Sequence, residues 1–86
     1  MDDWVGEIRF DPEITAKLRE KHGLTPDQVR AAVAWGGHDE ARWDTDPTYG
    51  RRLIVTGSDD QGPLRAYLRP IDRDDGLWEC LTAWRI

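Results

Sequence analysis

The sequence predicts an α+β domain in which two short helices pack on one face of a mainly antiparallel sheet of about four strands. Residues 10–33 carry two helix-start signals and one helix stop, whereas the chain after residue 50 alternates apolar and polar residues between turns. With 86 residues, of which 38% are hydrophobic, the chain fits a single domain spanning residues 1–86.

The helical segment is marked by capping residues at both ends. Asp11 suits the N-cap of the first helix, and Pro12 suits the first helical position, where a missing N–H costs nothing. Gly23 can adopt the left-handed conformation that closes a helix. Thr25 then suits the N-cap of a second helix, with Gln28 three residues later to complete a capping box. The pattern predicts two helices joined at a sharp corner.

Strands are predicted before and after the helices. Four of them span residues 4–10, 51–58, 64–69 and 77–86, and the sequence allows a further short strand at 41–45. The strand at 64–69 alternates cleanly, which places Arg65, Tyr67 and Arg69 on the face away from the helices.

The last strand carries large apolar side chains on both of its faces. Strict alternation places Trp78, Cys80, Thr82, Trp84 and Ile86 on one face and Leu77, Glu79, Leu81, Ala83 and Arg85 on the other. A strand that is apolar on both faces is expected inside the sheet rather than at its edge. Cys80 is expected to be a small buried hydrophobic residue.

Cysteine content and hydropathy point to a cytoplasmic protein. The single Cys80 cannot form an internal disulfide, and one cysteine with two histidines falls short of a structural zinc site, so no metal or cofactor is expected. No apolar run approaches the roughly 20 residues of a membrane span. The acidic start, Met1-Asp2-Asp3, lacks the features of a signal peptide.

Charge is unevenly distributed along the chain, whose net charge is −5. Residues 1–46 hold six Lys or Arg against eleven Asp or Glu, whereas residues 47–73 hold five Arg against three Asp. Arg65, Tyr67 and Arg69 can grip phosphates and stack on a base, as single-stranded RNA binding requires. A solvated outer strand face would show the same alternation, and the sequence leaves both interpretations open.

Five tryptophans in a chain of this size are unusual. Trp4 and Trp78 lie within strand patterns and are assigned to packing. Trp35, Trp43 and Trp84 lie at element ends or near turns, so they are the candidates for contact with a partner protein. Packing against the core is the alternative for these three.

Two segments resemble a known family of bacterial toxins. Residues 10–12 read F-D-P and residues 18–25 read L-x-x-K-H-G-L-T, which resembles the opening of BrnT-type toxins. Residues 52–57, R-L-I-V-T-G, resemble that family's R-x-x-x-x-G strand, and L-T-A at 81–83 resembles its I-S-A-R strand. The chain therefore resembles a BrnT-like member of the RelE/ParE superfamily over about residues 8–85.

That resemblance implies a RelE/BrnT-like fold and a type II toxin–antitoxin pair. It implies a metal-independent ribonuclease (an mRNA interferase) that uses the 2′-hydroxyl of RNA as nucleophile. It also implies a small antitoxin protein, encoded nearby, that neutralises the toxin. A non-catalytic protein-interaction module with a degenerate toxin fold is the alternative.

The resemblance also implies which residues would act. Arg52 matches the family's strand arginine, whereas the last-strand arginine matches Trp84, and Arg85 follows one residue later on the opposite face. Arg52, Arg69 and Arg85 are the candidate catalytic residues. Arg65 and Tyr67 are the candidate RNA contacts.

Overall fold

Within residues 4–48 and 50–86, two helices and five strands follow one another in the order β-α-α-β-β-β-β. The elements are β1 (Glu7–Arg9), α1 (Pro12–His22), α2 (Pro26–Val33), β2 (His38–Asp46), β3 (Gly50–Asp59), β4 (Gly62–Asp72) and β5 (Leu77–Arg85). The computed structural model describes residues 4–48 and 50–86, so the acidic start Met1-Asp2-Asp3 lies outside them. The predicted α+β class is confirmed, with five strands instead of about four.

The strands form one mixed sheet in the order β1-β5-β4-β3-β2. Strands β2 to β5 pair antiparallel in sequence order, and β1 pairs parallel with β5. Strand β5 thus lies between β1 and β4, as predicted for a strand that is apolar on both faces. Within the described residues, no helix has the length and apolar character needed to cross a membrane.

Both predicted sets of helix caps are confirmed. The Asp11 carboxylate accepts a hydrogen bond from the backbone N–H of Ile14 at 2.9 Å, and Gly23 closes α1 with φ of 63°. The Thr25 hydroxyl accepts from the backbone N–H of Gln28, and the Gln28 side chain accepts in return from the Thr25 N–H. These bonds satisfy amide groups that a helix start otherwise leaves unpaired, and they fix the corner between the two helices.

The core lies between the helices and one side of the sheet, which we call the core face. Its buried side chains are Val5, Ile8, Leu18, Leu24, Val29, Ala32, Val33, Ala34, Leu53, Val55, Leu64, Ala66, Leu68, Trp78, Cys80 and Ala83. Helix α2 packs on β3, β4 and β2, whereas α1 contacts β5. Helix α1 therefore lies along one end of the sheet.

Strand β5 contains one extra residue, Leu81. Tyr67 of β4 pairs with Thr82, whereas the next residue, Leu68, pairs with Cys80. Leu81 is left out of this register. A β-bulge of this kind shifts the alternation of side chains by one position.

The bulge makes the predicted faces of the last strand wrong beyond Cys80. Trp78 and Cys80 are buried in the core, as predicted, but Thr82 and Trp84 lie on the opposite face of the sheet. Ala83, which alternation placed away from Trp78, is buried with it in the core. The sequence did not predict the bulge because Leu81 suits a regular strand.

Helix α2 lies close against the sheet at Gly57 of β3. A Cβ atom built on Gly57 would lie 2.1 Å from the carbonyl oxygen of Ala32 and 3.1 Å from a methyl group of Val33. Real Cβ contacts are never this short, and a backbone oxygen cannot move aside cheaply. Gly57 therefore sets the spacing between α2 and the sheet.

We expect Gly57→Ala to lower the free energy of unfolding by about 1–3 kcal/mol, because the added methyl group overpacks the helix–sheet interface. Urea unfolding followed by circular dichroism measures the loss. Ser58→Ala is the matched control, since Ser58 is the exposed neighbour on the same strand and its change should stay within about 0.5 kcal/mol. Equal effects of the two substitutions would contradict the close packing at Gly57.

Candidate functional site

The face of the sheet opposite the core, which we call the outer face, carries the polar and aromatic residues of the candidate site. Its central residues are Arg52, Ile54 and Thr56 of β3, Arg65, Tyr67 and Arg69 of β4, and Glu79, Thr82 and Trp84 of β5. The predicted placement of Arg65, Tyr67 and Arg69 on this face is confirmed. Ile54 is buried but outside the core cluster, and it pairs directly with Tyr67, so the outer face has an apolar base.

A row of aromatic rings crosses the outer face and ends at α1. The ring centroids of Tyr67 and Trp84 lie 5.0 Å apart, and those of Trp84 and His22 lie 6.1 Å apart. We call Tyr67, Trp84 and His22 the aromatic row. The guanidinium carbon of Arg52 lies 4.6 Å from the centre of the Tyr67 ring, within the range of a cation–π contact.

His22 belongs to this row because α1 lies along β5. It lies in the last turn of α1, where basic side chains commonly bond the free carbonyl groups that end a helix. Its contact with Trp84 joins residues 62 positions apart, which no local pattern could predict. His22 therefore extends the aromatic row from the sheet to the end of α1.

Arg52 is held at the edge of the outer face by two carboxylates of β2. Its Nε and Nη2 atoms donate to the same Asp44 oxygen at 3.1 and 2.9 Å, and Nη1 lies 3.4 Å from Asp46. The hydrogen bond from Arg52 lowers the pKa of Asp44. These contacts fix the guanidinium over Tyr67.

The two arginines of β4 have different partners. Arg69 forms an ion pair with Glu79 of β5. Arg65 donates from Nε to the hydroxyl of Thr56 at 3.3 Å, and no described carboxylate pairs with it. Arg65 therefore keeps its full charge available to an anion on the outer face.

Arg85 does not join the other candidate catalytic residues. It lies one residue beyond Trp84 and points to the opposite side of the sheet, as the residue spacing predicted. Its Nη1 and Nη2 atoms donate to both oxygens of Asp59 at 2.8 Å each, and Nη1 also donates to the carbonyl oxygen of Gly62 at 3.1 Å. This pair joins β5 to the turn between β3 and β4.

The Asp59 side chain is only 4% exposed in that pair. The hydrogen bonds from Arg85 lower the pKa of Asp59 from 3.8 to about 2 and raise the pKa of Arg85, because both contacts favour the charged forms. Arg85 thus has a stabilising ion pair on the far side of the sheet.

The three candidate partner-binding tryptophans lie in three different places. Trp35 follows α2, is 73% exposed, and its ring centroid lies 5.9 Å from that of Trp4. Trp43 faces the core, with its ring centroid 5.8 Å from that of buried Trp78. Trp84 lies in the aromatic row. The three do not form one continuous surface.

Of the other two tryptophans, both predicted to pack inside the protein, Trp78 is buried and Trp4 is only partly covered. Trp78 is fully buried and donates from its indole N–H to the carbonyl oxygen of Trp4 at 3.0 Å. Trp4 is 44% exposed, and its ring lies against Gly6 and Gly76, where a Cβ atom would come within 2.6 Å of it. Trp4 therefore packs on backbone and remains partly open to solvent.

A pocket of about 240 Å³ borders the outer face where α1 meets β5. Arg69 and Glu79 line it from the sheet, and the first half of α1 lines the other side. Among residues 4–48 and 50–86, no group of three or more His, Cys, Asp or Glu side chains is placed to hold a metal ion.

The chain was compared with known proteins in three ways. A scan against protein-family models, a search of curated proteins and a search of solved structures each gave no match.

Acidification is expected to remove the stabilisation that the Asp59–Arg85 pair provides. Because the pKa of Asp59 is lower in the folded protein than in the unfolded chain, this contribution is complete above the ordinary value of 3.8 and is lost as the pH falls through about 2. The free energy of unfolding should therefore fall more steeply between about pH 4 and pH 2 in the wild-type protein than in Asp59→Asn.

Urea unfolding at a series of pH values measures this difference. Asp60→Asn is the control, because Asp60 is the exposed neighbour of Asp59 and forms no ion pair with any described residue, so its pH curve should lie much closer to that of the wild type than the curve of Asp59→Asn does. Parallel curves for the wild type and Asp59→Asn would contradict the assigned role of the pair.

Proposed function

We propose that the chain is a toxin-like component of a type II toxin–antitoxin pair that binds single-stranded RNA on the outer face and cleaves it without a metal ion. The observation that carries the proposal is the convergence of Arg52, Arg65 and Arg69 with the rings of Tyr67 and Trp84 on one face. Aromatic rings that stack on bases, bordered by arginines that contact phosphates, are the usual means of holding single-stranded RNA.

The proposed fold is RelE/BrnT-like, and the cytoplasm, where RNA is available, is the proposed location. Two kinds of observation support this fold. Residues 10–25 resemble the opening of BrnT-type toxins, and the two capped helices in that segment precede an antiparallel succession of strands β2 to β5.

The proposed reaction is a transesterification within RNA. The 2′-hydroxyl attacks the neighbouring phosphorus and loses its proton to solvent, and the bond from phosphorus to the 5′-oxygen breaks. The departing 5′-oxygen takes a proton from solvent, which leaves a 2′,3′-cyclic phosphate and a 5′-hydroxyl. Arg52 and Arg69 stabilise the negative charge that grows on the phosphate oxygens. Arg85 has no part in this scheme because Asp59 holds it on the other side of the sheet.

A second candidate function is a protein-interaction module without catalysis. The observation that favours it is the exposed pair of Trp4 and Trp35, beyond the end of α2. Trp35 has φ of 54°, an unfavourable backbone conformation for a bulky residue, and its N–H donates to the carbonyl oxygen of Val5 at 2.6 Å. This strained turn presents a large apolar ring to solvent, as a partner-binding residue requires.

Expression of the gene in a bacterial host is expected to arrest growth and shorten transcripts. Replacing both Arg52 and Arg69 by Ala should relieve the arrest and lower the RNA-cleavage rate of the purified protein by at least about 100-fold, because two groups that stabilise the transition state are lost. Growth curves and RNA sizing measure the two effects, and circular dichroism checks that the variant folds.

Arg51→Ala is the matched control for this experiment. Arg51 is the neighbour of Arg52 on β3, but its guanidinium lies over the ring of Trp43 on the other side of the sheet. It should therefore leave arrest and cleavage unchanged. Unimpaired growth with intact RNA on expression of the wild type would refute the enzymatic proposal, and a small copurifying partner would then favour the interaction module.

RNA binding should weaken with salt in proportion to the number of phosphate contacts. Three arginines on single-stranded RNA predict a slope of about −2 in a plot of log affinity against log salt concentration, and Arg65→Ala should make the slope shallower by about 0.7. Fluorescence anisotropy of a labelled oligonucleotide measures it, with Arg51→Ala again as the control. Binding that is absent or insensitive to salt would identify the outer face as an ordinary solvated surface.

A further inference from the structure

The pocket beside the outer face has an unusual combination of charges for its size. Its polar lining comes from the N-cap residue Asp11, from Glu13 and Lys17 of α1, and from Arg69 and Glu79 of the sheet. Its volume of about 240 Å³ lies below the range of about 300–1,000 Å³ that is usual for drug-sized ligands. It is therefore large enough for a small ring system and too small for an oligonucleotide.

Two of these five charged groups are not engaged elsewhere in the structure. Asp11 uses one oxygen to cap α1, and Glu79 and Arg69 pair with each other. Glu13 and Lys17, one turn apart on α1, form no hydrogen bond or ion pair among the described residues. A ligand in the pocket would thus meet an unpaired carboxylate and an unpaired ammonium group.

The charges of the pocket argue against a phosphate as its ligand. The start of α1 carries the positive end of a helix dipole, which favours anions, but Asp11 already caps it and Glu13 lies in the first turn. Glu79 adds a third carboxylate on the opposite wall. A neutral ring with N–H donors and oxygen or nitrogen acceptors matches this lining better than an anion does.

The position of the pocket places it next to the proposed RNA path. Arg69 lines the pocket and lies two residues from Tyr67 along β4, a distance of roughly 7 Å at the rise of an extended strand. Its ion-pair partner Glu79 lies in the same region of the outer face. A base next to one stacked on the aromatic row can therefore enter the pocket.

We propose that this pocket is a base-recognition subsite that selects guanine in the bound RNA; the inference rests on the proposed RNA-binding function. Guanine offers the adjacent N1–H and N2–H groups to the carboxylate of Glu13, and its O6 and N7 acceptors to Lys17. Adenine, cytosine and uracil have no such pair of donor groups on adjacent atoms of one edge, so they cannot bond to both oxygens of a carboxylate in this way. Cys80 also borders the pocket, although its thiol is buried in the core.

Mononucleotide binding to the purified full chain tests the proposal. Titration calorimetry with guanosine 5′-monophosphate and adenosine 5′-monophosphate compares two bases that carry the same phosphate. We expect the guanine nucleotide to bind at least about tenfold more tightly, since one bidentate base contact discriminates by this order. Glu13→Gln should abolish that preference while leaving the affinity for the adenine nucleotide unchanged, and Lys17→Ala should weaken guanine binding.

Glu20→Gln is the matched control, because Glu20 is exposed on α1 and outside the pocket. Its guanine preference should equal that of the wild type. Equal affinities for the two nucleotides, or a preference that survives Glu13→Gln, would overturn the subsite. If the protein arrests growth and cleaves RNA but shows no base preference, the subsite alone is refuted. If it prefers guanine nucleotides but does not bind RNA, the proposed function alone is refuted.

Discussion

The extra residue in β5, Leu81, decides which side chains each face of the sheet carries. Before it, Trp78 and Cys80 point into the core, and after it Trp84 points outward. In a regular strand Trp84 would share the face of Trp78, and Arg85 would occupy the outer face in its place. The ring contact between Trp84 and Tyr67 therefore depends on the bulge, as does the pairing of Arg85 with Asp59.

The shortness of β1 is the second constraint on the outer face. Its three residues pair only with Leu77–Glu79, so no described strand lies on that side of the rest of β5. Helix α1 contacts β5 there, with Leu18 in the core and its two ends beside outer-face residues. Its last turn brings His22 to Trp84, and its first turns form the pocket with Arg69 and Glu79. The part of β5 that β1 does not reach is thus covered by a helix, which also gives the outer face one wall.

The features that depend on neighbouring residues were predictable from the sequence. Both helix caps, the outward placement of Arg65 and the burial of Cys80 follow from local chemistry or a period of two, and the structure has them as predicted. The bulge at Leu81 was not predictable, because an inserted residue leaves no mark in an alternating apolar strand.

The contacts that join distant elements were also beyond local patterns. His22 meets Trp84, and Arg52 meets Asp44, through the packing of helix on strand and of strand on strand. The carboxylate partners of Arg52 and Arg69 reduce the positive charge that the arginine-rich segment presents on the outer face. The sequence showed an excess of positive charge there, whereas the fold brings acidic residues from β2 and β5 to two of its arginines.

This pairing determines how the outer face can bind RNA under the proposed function. A phosphate that reaches Arg52 or Arg69 must compete with the carboxylate already paired with that arginine. The binding free energy it gains is therefore only the difference between two ion pairs. Long-range attraction of the phosphate is also weak, because the carboxylate offsets the charge of the arginine. Of the three arginines in the proposed site, Arg65 is the one that bonds to a neutral hydroxyl and to no described carboxylate, so it offers its charge without this competition. Most of the selectivity must then come from short-range contacts, which are stacking on the aromatic row and recognition of a base edge. A chain with a net charge of −5 can in this way bind RNA without binding polyanions in general, because contact depends on the bases as well as on the phosphates.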